Sequence, residues 1–154
     1  MRIQNLVVVA GLALSAAACH KQATSTGTGT GSTPASDKKL FDRLGGMDGI
    51  TAVVDDFVTN VGADARINAR FVNADLKHLK EMLVAQICNA SGGPCEYKGK
   101  DMLTTHKGMN IKDAEFDALV EDLVKSLDKF KVGPKEKADL LGALGPMKPQ
   151  IVGV

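Results

Sequence analysis

The feature that most constrains the fold of this chain is a run of apolar residues at a helical period. Ile50, Val53, Val54, Phe57, Val58 and Val61 recur at i, i+3, i+4, i+7, i+8 and i+11. That spacing lines the side chains up as one stripe, and the period outweighs the modest helix preference of β-branched valine. A helix with such a stripe must bury it against partners, and the chain supplies them. Asp75 is an N-cap for a helix with Leu76, Leu79, Leu83 and Ile87 on one face. Asp113 is placed to cap another that carries Phe116, Leu119, Val120, Leu123, Val124, Leu127 and Phe130. Gly133-Pro134 breaks the chain and opens a helix with Leu140, Leu141 and Leu144, which Gly145-Pro146 and Pro149 then kink or fray. Shorter apolar pieces are Leu40, Phe41 and Leu44, ending at Gly45-Gly46, and Ile67 with Phe71 beyond the turn at Asp64 and Arg66. No Asn-Gly hairpin signal occurs and no strand-like alternation is sustained, so the predicted fold class is all-α.

Between these helices lies a loop rich in Gly and Pro, Gly92 to Lys100, running into a short segment that carries His106 and stops at Gly108. Met102, Leu103, His106 and Met109 fall at helical spacings, so the imidazole is expected among apolar neighbours, pointing inward. A buried imidazole has two ring nitrogens to satisfy. One reading is a core histidine hydrogen-bonded to a carbonyl, and the other is an axial metal or haem ligand in a helical apolar pocket. His78 precedes Leu79 by one position, about 100° away around the helix, and reads as a rim or surface residue. The formal net charge of +1 and an aromatic content of 4%, with no Trp, leave neither a basic footprint nor a stacking platform for nucleic acid.

The N-terminal residues read as a targeting segment. Arg2 precedes an apolar run from Leu6 to Leu14, too short for a stable membrane anchor, and Ser15-Ala16-Ala17-Ala18 supplies small residues before Cys19. Residues 1–18 are therefore expected to be a signal peptide. Cys19 resembles the lipidated cysteine of a bacterial lipoprotein, although Ala16 stands where such motifs usually place Leu. Residues 19–37, rich in Thr, Gly and Ser and including His20, read as a flexible tether, and the globular domain is expected over 38–154. The expected location is the periplasm or cell envelope. Attachment would be only through lipid on Cys19, at the outer membrane where the envelope has two.

Residues 38–154 resemble the group 1 truncated haemoglobins. The resemblance rests on Leu40-Phe41-Asp42-Arg43-Leu44-Gly45-Gly46, Val53-Val54-Asp55-Asp56-Phe57, and Gly92-Gly93-Pro94 followed by Tyr97, Gly99, Met102, His106 and Ile111. It implies a truncated globin fold, a two-over-two helical sandwich around haem b, with His106 as the proximal iron ligand. The second imidazole nitrogen would then donate to Thr104, Thr105 or a carbonyl one turn earlier. Met102, Met109, Ile111 and Phe116 are expected to pack on the haem, and Lys80 and Lys100 are candidates for its propionates. The opposite, distal wall is expected to comprise Phe57, Val58, Leu79, Met82, Leu83 and Ile87. Relatives commonly carry a tyrosine at the place of Val58 and a glutamine at that of Leu83, and neither residue here donates a hydrogen bond.

An apolar distal wall implies reversible binding of the diatomic gases oxygen, nitric oxide and carbon monoxide rather than catalysis. Nitric oxide dioxygenation, which needs a firmly held oxygen and a reductase, is the enzymatic alternative. A further alternative is electron transfer with Met82 as a second axial ligand, and another is a haem-free lipoprotein that uses the pocket for a partner. Cys88 and Cys95 form an even pair, with a disulfide the default for an exported domain and two thiols the alternative. No Cys-x-x-Cys-His run occurs, so covalent c-type haem attachment is not expected.

Overall fold

The computed structural model describes residues 38–154, and the readings of residues 1–37 as signal peptide, Cys19 lipidation site and tether lie outside the described residues. The domain is helical: α1 Leu40–Arg43, α2 Gly46–Ala63, α3 Leu76–Ala90, α4 Met102–His106, α5 Asp113–Lys129 and α6 Pro134–Leu144, with 3-10 turns at Asn68–Phe71 and Gly145–Gln150. Among the described residues no helix is long and apolar enough to cross a membrane.

The hub is α2, whose stripe of Ile50, Val53, Val54, Phe57, Val58 and Val61 is buried along its whole length. It packs against α3 on one side and α5 on the other, and α3 also meets α6. Each of these larger side chains contributes about 1.5–3 kcal/mol by leaving water, so one helix anchors much of the domain. The α1–α2 corner turns at Gly45 and Gly46, both at positive φ (+88° and +65°), a conformation that costs a side-chain-bearing residue energy.

Polar ties set how the helices stack. Arg43 of α1 donates to Glu136 and Asp139 of α6, both at 2.6 Å. Ser126 of α5 accepts from Asn60 and donates to Asp56, each at 2.9 Å, which fixes the antiparallel register of α5 on α2. Asp122 is buried, with Lys125 at 2.8 Å.

Three local expectations need correction. The N-cap of α5 is Lys112, whose amide donates to Glu115 at 2.9 Å, and Asp113 is in the first turn. Phe130 is the C-cap of α5 and 42% exposed, because the helix ends before that position turns inward. Leu103 is 49% exposed, since in a helix of only five residues the face of Met102 and His106 excludes it.

Candidate functional site

α4 owes its start to Asp101, whose carboxylate accepts from the Thr104 amide at 2.8 Å and from the Thr104 hydroxyl at 2.7 Å. The Thr105 hydroxyl donates to the Asp101 carbonyl at 2.8 Å. With both hydroxyls committed, His106 Nδ1 pairs with the Met102 carbonyl, one turn earlier, at 2.8 Å. A carbonyl only accepts, so the proton is on Nδ1 and the lone pair is on Nε2, which is the tautomer a metal-binding imidazole needs.

No residue of α4 is buried, and α4 packs chiefly against the C-terminal 3-10 turn rather than onto α3 or α5. The apolar side chains expected to line a pocket here are only half-buried: Leu79, Met82 and Leu83 from α3, Met102 from α4, Met109 and Ile111 after it, and Phe116 from α5. They contrast with the α2 stripe, which is buried throughout.

The segment after His106 is tied down at several points. The Met109 carbonyl accepts from Arg70 Nη1 at 2.9 Å, while the same guanidinium grips Glu115 with two bonds of 2.8 and 2.9 Å. Ile111 pairs with Val152, the Gly153 amide donating to the Ile111 carbonyl at 2.9 Å. The Lys148 ammonium lies 5.1 Å from the Phe116 ring centroid and pairs with Asp113 and Asp117.

Hydrogen bonds from Arg70, and then from the Lys112 amide, hold the Glu115 carboxyl at about 2 against an ordinary 4.5. A carboxyl depressed in the folded state contributes stability that is present above its unfolded value and lost as pH falls through its folded one. Replacing Glu115 by Gln should therefore flatten the acid-unfolding profile between about 4.5 and 2. Asp64, held near 2 by Arg66, keeps a residual slope in that variant. Circular dichroism as a function of pH checks this, and identical slopes for parent and variant would contradict it.

The expected wall and propionate residues fall in different environments. Ile87 turns inward to a small void shared with Leu44, Ile50, Val53, Leu127 and Leu140, because the α3 face that carries it is the one packed on α2. Phe57 and Val58 belong to the same buried core, at 6% and 7% exposure. The Lys80 ammonium sits 2.8 Å from Asp55 of α2, so its charge is already paired on a different face of α3. Lys100 is exposed in the loop before α4, its carbonyl accepting from the Tyr97 hydroxyl at 2.9 Å. His78 is exposed.

Gln86 is the residue that sequence reasoning missed. About 120° around α3 from Lys80, its amide nitrogen lies 3.0 Å from Met147 Sδ and 3.6 Å from Met102 Sδ. Its amide is thus directed at two thioether sulfurs, one of them on α4 beside His106. The signal was available, since Gln86 follows Leu79 and Leu83 at seven and three positions, a helical repeat on one face.

Cys88 and Cys95 are joined by a disulfide, with their Cα atoms 5.7 Å apart. Among the described residues no three His, Cys, Asp or Glu side chains gather as a metal cage.

Residues 39–152 match the bacterial-like globin family. Similar curated proteins include the group 1 truncated haemoglobin LI410 of Chlamydomonas moewusii, 34% identical over 137 residues, covering 85% of this chain and 80% of that one. Another is the group 1 truncated haemoglobin of Tetrahymena pyriformis, 37% identical over 93 residues, covering 60% and 77%. Among solved structures, the Fe(III) form of the Tetrahymena pyriformis protein superimposes with a TM-score of 0.74 at 30% identity, covering 76% of this chain and 100% of that one. The 2/2 haemoglobin of a Synechococcus species, crystallised with covalently attached haem, gives a TM-score of 0.71 at 26% identity, covering 76% and 100%.

Proposed function

Because this chain belongs to the bacterial-like globin family, we propose that it binds oxygen, nitric oxide and carbon monoxide reversibly at haem iron held by His106. Its fold is the truncated two-over-two globin and its cofactor is haem. The single observation that carries the reading is the His106 imidazole, whose Nδ1 bond to the Met102 carbonyl leaves the Nε2 lone pair as the acceptor. The residues around it fit a haem: half-buried apolar side chains on α3, α4 and α5, and a short helix that packs chiefly on the C-terminal 3-10 turn.

Haem supplies the iron at which a diatomic gas binds, and the chain supplies its holding and its walls. Met102, Met109, Ile111 and Phe116 offer apolar packing on the His106 side, and Leu79, Met82 and Leu83 offer it from α3. Lys100, exposed at the entrance to α4, is the remaining candidate for a propionate. Leu79, Met82 and Leu83 have no hydrogen to donate to a bound gas. A lost hydrogen bond to a partly charged partner costs about 1.5–3 kcal/mol, or roughly ten- to hundredfold in affinity. Oxygen should leave correspondingly faster than from relatives with a distal tyrosine or glutamine, with carbon monoxide and nitric oxide less affected.

Visible spectra of ferric, ferrous and carbon monoxide-exposed protein, followed by stopped-flow measurement of oxygen release, test this. A haem spectrum that responds to carbon monoxide, with fast oxygen release, is expected. Absence of a Soret band after haem supplementation would remove the reading, and sustained nitrate formation from nitric oxide over many reductant-driven turnovers would replace it with the dioxygenase. Export and lipidation are part of the proposal on sequence grounds. A lipid mass increment on a chain beginning at Cys19 is the expected observation, and an unmodified Cys19 on the exported chain would count against the anchor.

A further inference from the structure

The site's least supported flank is the loop that precedes α4. From Pro94 to Lys100 it forms no regular structure, and its hydrogen bonds to the rest of the described chain reduce to one, from Asn89 Nδ2 to the Cys95 carbonyl at 3.1 Å. The Tyr97 hydroxyl is used inside the loop, on the Lys100 carbonyl. What fixes the loop to the core is the Cys88–Cys95 disulfide, since Cys88 is fully buried at the end of α3 while Cys95 lies seven positions on. Six residues after Cys95 comes Asp101, the cap of α4, and α4 itself buries no side chain. Downstream of His106 the chain is secured to Arg70 and Val152, whereas upstream it is secured by sulfur.

The two sulfurs differ in access. Cys88 has no exposed surface. Cys95 lines a groove of about 340 Å³ together with Met47, Thr51, Val84 and Ala85, and its Sγ is 3.4 Å from the Sδ of Met47, itself 40% exposed. Thiol–disulfide exchange proceeds by attack of a thiolate on one sulfur while the other leaves, so access selects which is attacked.

We infer that Cys88–Cys95 is a clamp opened by a dithiol reductant attacking Cys95 from the groove between α2 and α3, and that opening it loosens α4 and speeds haem loss. The reductant's thiolate bonds to Cys95 Sγ, the Cys88–Cys95 bond breaks, and Cys88 sulfur leaves with the electron pair and takes a proton. The second reductant thiol then closes onto the first, releasing Cys95 as a thiol. Two electrons and two protons pass to the chain and the dithiol becomes a cyclic disulfide. The haem consequence rests on the function proposed above, while the loosening of residues 94–106 does not.

The test uses the full chain loaded with haem, with and without dithiothreitol. Thiols are counted, amide hydrogen exchange over 94–106 is followed, and haem transfer to an excess of apomyoglobin is timed. Two additional thiols per chain, faster exchange in that segment and haem transfer faster by about tenfold, equivalent to about 1.4 kcal/mol, are expected. The double variant Cys88→Ala with Cys95→Ala should behave like the reduced parent without any reductant. Two new thiols with unchanged exchange and unchanged haem transfer would overturn the inference, as would a disulfide that resists millimolar dithiothreitol. If neither form takes up haem, the gas-binding function fails, and hydrogen exchange alone still decides whether the clamp exists.

Discussion

Replacing His106 by Ala should yield a folded protein that loses haem at least about a hundredfold faster than the parent. Groups that merely orient a metal ligand control about ten- to hundredfold in metal affinity, so removing the ligand itself should exceed that range. The fold should survive because α4 contributes no buried side chain and the α2 core lies elsewhere. Far-ultraviolet circular dichroism should be unchanged while the Soret band shifts and decays in the presence of apomyoglobin. Added imidazole should restore the spectrum in His106→Gly, where the missing side chain leaves room for it. His78→Ala, on the exposed side of α3, should retain haem as the parent does. An unshifted Soret band in His106→Ala would remove the imidazole from the iron.

The largest effect on stability should come from Gly49→Ala. Alanine gains about 0.5–1 kcal/mol over glycine inside a helix, so propensity alone predicts stabilisation. A Cβ at residue 49, however, would lie 2.1 Å from the Leu44 carbonyl oxygen and 3.1 Å from its carbon. Both are backbone atoms of the α1–α2 corner, and they cannot yield as a flexible side chain would. Separating them would push α1 away from α2 and disturb the Arg43 bonds to Glu136 and Asp139. Overpacking in a tight site costs about 1–3 kcal/mol and occasionally more, which exceeds the helix gain. A fall in midpoint temperature on the order of 10 °C is expected by thermal denaturation. Gly62→Ala, in the same helix with nothing within 4 Å of the added methyl, is the control and should be neutral or slightly stabilising.

These two positions also mark the boundary between what periodicity reveals and what packing adds. Nothing in the composition distinguishes Gly49 from Gly62, since both are interior to one helix. Only the approach of Leu44 makes the first one critical. The same holds on α3. Ile87 and Leu83 continue one apolar repeat in the sequence, yet Ile87 belongs to the α2-facing core and Gln86 faces Met102 and Met147. Lys80 likewise reads as a spare cation until Asp55 is found opposite it.

The sequence by itself determined the helical class, the stripe of α2, the Asp75 cap and the prominence of His106 among its apolar neighbours. Each of these depends on residues a few positions apart along one helix, where spacing dictates direction. The tertiary structure alone decided which acceptor sets the His106 tautomer, which charges are already paired, and which face of α3 meets the α4 side. Those depend on contacts between residues far apart in the chain or on rotamer competition among nearby ones, and a linear repeat carries no information about what will stand opposite it.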